Sequence, residues 1–159
     1  MRASVLTVSV LTVALAGGCG RGRDDGLVKY QVSGSVRING ELQKGVAIVF
    51  NHTDPGVTAN AARPVAVTNE AGEFQLSTNG PADGAVEGTY IVTFFWPEGG
   101  TSSRDFLKGK YVRPEASTFR VTIDPENTLL PPFDLEAPPT DVLEAQQILS
   151  GAAARAPQS

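Results

Sequence analysis

One histidine, one cysteine and a few clustered charges are the chemically suggestive residues of this 159-residue chain. His52 stands in Asn51-His52-Thr53-Asp54-Pro55-Gly56, a loop sequence, and is the side chain that titrates near neutral pH without help. As a general base or metal ligand it would need companions, and there is no second histidine to share a metal or complete a triad. Glu70 with Glu73, and Asp83 with Glu87, come nearest to the paired carboxylates that cleave a glycosidic bond. Both pairs flank turn sequences, where solvated charge is the ordinary expectation. Gly99-Gly100 follows a strand-like run with no helix after it, so it is no phosphate loop. Segment 104–113 differs from the rest. Arg104, Lys108, Lys110 and Arg113 oppose only Asp105 there, inside a chain of formal charge −4. Phe106, Leu107 and Tyr111 interleave with the charges. This composition suits a contact surface for an anionic partner, such as lipid headgroups, an acidic glycan or an envelope protein. It equally suits a solvated loop pinned to the body by its apolar residues. No catalytic residue, metal site or cofactor is expected, and the acidic balance without a basic tract argues against nucleic acid.

The elements that must position these residues read as strands. Within residues 27–136, glycine and proline recur so often that a typical helix of about 11 residues has little room. Short β-branched and aromatic runs alternate with turn signals instead, as in an all-β sandwich. Val32, Gly34, Val36 and Ile38 alternate with polar residues up to Asn39-Gly40, a dipeptide suited to a type I′ hairpin turn. Runs 46–50, 64–68, 74–78, 89–96, 119–123 and 128–135 bring the expected strands to seven. Pro131 and Pro132 demote the last of them to an edge. Tyr90, Val92, Phe94 and Trp96 share one strand face, and Ile91, Thr93 and Phe95 the other. Phe74 and Tyr90, each just after a turn glycine, are expected in the core.

Several of these stretches occur in a recognisable order. Val32-Ser33-Gly34-Ser35-Val36 and Gly45-Val46 come first, then Thr68-Asn69-Glu70-Ala71-Gly72-Glu73-Phe74-Gln75-Leu76 and Gly88-Thr89-Tyr90-Ile91-Val92-Thr93. This resembles the carboxypeptidase regulatory-like domain, a small prealbumin-like β-sandwich related to the repeat domains of bacterial adhesins. Leu107-Lys108-Gly109-Lys110-Tyr111 and Leu130-Pro131-Pro132-Phe133-Asp134-Leu135 look like the version found in small bacterial lipoproteins. The resemblance spans about residues 30–135. It implies a structural or binding module with no catalytic residues to carry over. Enzymes on prealbumin-like folds use several histidines, or a histidine–tyrosine iron set, which this chain cannot supply.

The N-terminus fits that lipoprotein likeness. Arg2 precedes an apolar run, residues 3–16, too short for a bilayer core that needs about 20. Leu15-Ala16-Gly17-Gly18-Cys19 then resembles a lipobox, with Ala16 three places before the cysteine. Its cysteine would become the acylated first residue of the mature chain. Several acyl chains are needed for stable anchoring, which is what such a modification provides. The expected organisation is a signal peptide (residues 1–18), a flexible tether (19–26), a β-sandwich (27–136) and a tail (137–159). In that tail Asp141 and Glu144 read as a capping box opening a short helix to Leu149. Val142, Leu143, Ile148 and Leu149 would form its apolar stripe, with residues 151–159 disordered. The sequence thus points to an exported, lipid-anchored lipoprotein acting as a structural or binding module. The alternative is a carbohydrate-active accessory protein or a hydrolase of the cell envelope.

Overall fold

A computed structural model describes residues 26–58, 60–99 and 104–154. Cys19, the signal segment and nearly all of the tether lie outside the described residues. Among the described residues the fold is all-β and sandwich-like, with one α-helix. β1 (Lys29–Tyr30), β2 (Ser33–Ile38), β3 (Glu41–Leu42), β4 (Ala47–His52) and β5 (Val65–Val67) come first. β6 (Glu73–Gln75), β7 (Ala85–Val86), β8 (Gly88–Phe95), β9 (Arg120–Ile123), β10 (Phe133–Leu135) and α1 (Pro139–Ala154) follow. One antiparallel sheet runs β5-β4-β8-β9, and the facing sheet runs β10-β2-β3 with β6 also on β2. β1 and β7 form a small ribbon.

Local chemistry explains the crossings between these layers. Asn39 (φ 54°) and Gly40 (φ 86°) turn β2 into β3, pairing Ile38 with Glu41. The return strand is only two residues long, because the chain then leaves for the other sheet. Thr68 secures that crossing: its hydroxyl donates to Gln43 O at 2.7 Å and accepts from Val46 N at 2.9 Å. Asn69 builds the next turn, its side-chain oxygen taking Ala71 N at 2.9 Å and Glu73 N at 3.0 Å.

Among the described residues ten strands appear where seven were expected. The additional ones, β1, β3 and β7, have two residues each and carry no readable alternation. The run 128–135 contracts to β10 behind its prolines, and β10 lies parallel to β2, Phe133 opposite Val36. That edge strand nonetheless supplies a central core residue. Phe133 stacks on Phe74 (centroids 6.1 Å) and meets Phe50, Phe94 and Phe119 edge-on at 5.2–6.2 Å. Tyr90, Val92, Phe94 and Trp96 all point into the same core, as the alternation predicts.

The helix departs from the sequence expectation in three ways. It starts at Pro139, with Pro138 O accepting from Asp141 N and Val142 N, so Asp141 is inside the first turn and not a cap. It continues to Ala154, past the point where disorder was expected, and residues 155–159 lie outside the described residues. Its apolar face uses Val142, Ala145, Ile148 and Leu149, whereas Leu143 faces solvent. The residues at steps of three, four, seven and eight from Asp141 share one face, and Leu143 does not.

Candidate functional site

The basic segment is an ordered loop organised by its one acid. Asp105 Oδ1 accepts from Trp96 N at 2.9 Å and Leu107 N at 3.0 Å, and Oδ2 accepts from Gly109 N at 2.9 Å. Lys108 (φ 53°) and Gly109 (φ 72°) complete the tight turn. Phe106 and Leu107 are buried, and Phe106 lies edge-on to Trp96 at 5.5 Å. Tyr111 turns inward against Phe94 and Phe119. Its hydroxyl accepts from Glu136 N at 2.9 Å.

Three of the four cations meet carboxylates of the same chain. Arg104 forms a two-pronged pair with Glu144 (2.7 and 2.6 Å) and lies 3.6 Å from Glu98. Lys108 pairs with Asp141 at 3.0 Å, and Lys110 with Glu136 at 3.4 Å. Arg113 stands apart on the surface, just before a 3₁₀ turn at Pro114–Ala116. The sequence reading found the cations but not these partners, which lie 26 to 40 residues away for the two hydrogen-bonded pairs. The Asp141/Glu144 spacing, read as a cap, was the available signal. It places two acids on the face that meets Arg104 and Lys108.

Protonation follows from these contacts. The Arg104 guanidinium, hydrogen-bonded to Glu144, holds that carboxyl below its ordinary value. Burial pushes Asp83 upward, but the N–H groups of Thr78, Asn79 and Gly80, with the Lys29 charge, outweigh it and leave it lowered. Carboxylates depressed in the folded state stabilise it above their unfolded pKa, about 4, and that contribution disappears as pH falls through the lower folded values. The urea midpoint should therefore be flat from pH 7 to about 5 and decline below about 4. A midpoint that rises on acidification would contradict these assignments.

The other chemically suggestive side chains have structural employment. His52 Nδ1 accepts from Asp54 N at 3.0 Å, Nε2 faces Glu87 O at 3.3 Å, and the ring stands edge-on to Tyr90. With Nδ1 accepting, the proton belongs on Nε2. Gly88 leaves the room this ring needs, since a Cβ there would sit 2.0 Å from Nε2. Glu70 pairs with Lys44 at 3.0 Å. Asp83 caps its loop through Thr78 N and Asn79 N. Among the described residues, no three His, Cys, Asp or Glu side chains gather as a metal site.

Sequence reasoning missed one surface. An open groove of about 670 Å³ crosses the outer face of β2 and β6, where Ser33, Ser35, Asn69, Glu73, Gln75 and Ser77 line it together with Val67, Pro81, Ala82 and Leu129. Outward-facing serines in the alternation of β2 were the only hint. Against protein-family models, curated proteins and solved structures alike, the chain has no match, so its reading rests on its own residues.

Proposed function

We propose that this protein is an exported bacterial envelope lipoprotein, anchored through acylated Cys19. Its body would be a carboxypeptidase regulatory-like, prealbumin-like sandwich serving as a non-catalytic structural or binding module. The observation that carries the proposal is the position of the chain's one cysteine, directly after an apolar run and two glycines. The body supports it from another side. His52, Asp83, Asp141 and Glu144, with Arg104 and Lys108 of the basic loop, are engaged in holding turns and docking α1. The likeness to small lipoproteins at residues 107–111 and 130–135 agrees with both.

Cys19→Ala is the direct test. The variant should lose lipid labelling and move from the detergent phase to the aqueous phase on phase separation, because the apolar run alone is short of a membrane span. Unchanged partitioning with the detergent would sink the lipid anchor.

The carbohydrate-directed reading keeps one supporting feature, the groove on β2 and β6, where hydroxyl and amide groups stand beside apolar side chains. Those groups suit a polyol. The groove presents one carboxylate, Glu73, where glycoside hydrolysis ordinarily uses two. It therefore favours recognition of a glycan over its cleavage.

A further inference from the structure

The surface beneath α1 has the character of a receptor for a helix. Arg104 and Lys108 stand at one end of it, and Phe106 and Leu107 anchor the loop that carries them. Leu149 marks the other end: its Cδ1 lies 3.9 Å from the position a Cβ on Gly45 would take, which is also 3.9 Å from Trp96 Nε1. Gln146 reaches Glu41 at 3.4 Å alongside. The resident α1 displays the matching face at positions i, i+3, i+4, i+7 and i+8: Asp141, Glu144, Ala145, Ile148 and Leu149.

Among the described residues, no backbone hydrogen bond joins the helix to the sandwich; its first-turn N–H groups bond back to Pro138. The chain just before it is fixed, with Asn39 exchanging two hydrogen bonds with Ala137. The helix is thus moored at one end and docked by two ion pairs, the Gln146–Glu41 hydrogen bond and a short apolar stripe in which Val142 and Ala145 are buried. Partly exposed ion pairs contribute little, and an element held by side chains opens before one woven into a sheet ladder.

We infer that this surface is a docking site for an acidic amphipathic helix of a partner protein, and that α1 occupies it in cis as a displaceable plug. Charge complementarity selects the partner: carboxylates one turn apart for Arg104 and Lys108, followed by small and aliphatic residues. The tethered α1 competes at an effective concentration in the millimolar range, so the intact chain is self-occluded. The inference deepens the binding-module reading and rests on it. It does not depend on acylation of Cys19, so its test and the partitioning test fail separately.

The experiment uses the full chain with a labelled synthetic peptide of the sequence Pro139–Ala154 as probe. Asp141→Lys with Glu144→Lys should release α1 in cis and bind the peptide at least about tenfold tighter than wild type, as expected when two attractive pairs become repulsive. Arg104→Glu with Lys108→Glu in an otherwise wild-type chain also turns both pairs repulsive and releases α1, but should not bind this acidic peptide; a peptide with lysines at the two acid positions should bind it instead. If the reversed variant is poorly folded by near-UV circular dichroism, Asp141→Asn with Glu144→Gln removes the attraction without repulsion and takes its place. Equal weak binding by wild type and released variant overturns the inference. So does binding indifferent to reversal of the loop charges. A released variant that ignores the peptide but binds anionic vesicles overturns it in favour of a lipid surface.

Discussion

Phe74→Ala should destabilise the sandwich by about 3–5 kcal/mol, seen as a lower urea midpoint with little change in slope. Phe74 is 3% exposed, stacks on Phe133 and packs against Phe50 at 6.3 Å, so its removal opens space between the two sheets. Its seat is built from the opposite strand residue. Gly34 pairs with Phe74 across β2 and β6, and a Cβ on Gly34 would stand 2.8 Å from Phe74 Cζ. That arrangement gives a second, sharper expectation. Gly34→Ala alone should be destabilising, because the ring must shift within a filled core. In the Phe74→Ala background the same change should cost much less, or even fill part of the cavity. The double-mutant cycle should therefore show strong non-additivity. Additive costs, or an unchanged midpoint for Phe74→Ala, would mean that the ring does not occupy this seat.

Phe74 also shows which features of the fold are legible in the sequence. A glycine turn, a strand start and period-two alternation are local signals, and they place Phe74 and Tyr90 on the inner face correctly. Asn39-Gly40 is legible for the same reason, since its backbone preference needs no tertiary help. The missing information is non-local. Two-residue strands such as β1 and β7 exist because a partner is present, not because of their own pattern. The parallel pairing of β10 with β2 depends on where a proline-rich segment returns. The candidate site is half legible. Four cations within ten residues stand out in a sequence, but Glu144 and Asp141 reach Arg104 and Lys108 only after α1 folds back over the loop.

Gly84→Ala should rival the loss of Phe74, with an expected cost of about 3 kcal/mol or more, because backbone and not side chain stands in the way. Gly84 has φ 85°, and a Cβ there would lie 1.9 Å from Tyr30 O and 2.5 Å from its carbonyl carbon. Relief requires β1 to move off β7, where Tyr30 pairs with Ala85 and Lys29 with Val86. Gly84 itself cannot retreat cheaply. Its N–H donates to Leu76 O at 3.0 Å, its carbonyl accepts from the Thr78 hydroxyl, and neighbouring Asp83 clamps Thr78 N and Asn79 N. Gly40→Ala supplies the control. Gly40 has nearly the same φ, 86°, but nothing lies within 4 Å of its Cβ position, so it isolates the conformational cost of about 1 kcal/mol. The difference between the two variants measures the contact with β1. Equal losses would show that the ribbon yields freely. A Gly84 variant at least about 2 kcal/mol worse than the Gly40 variant would show that β1 is closed against β7 in the native state and contributes to the cooperative unit.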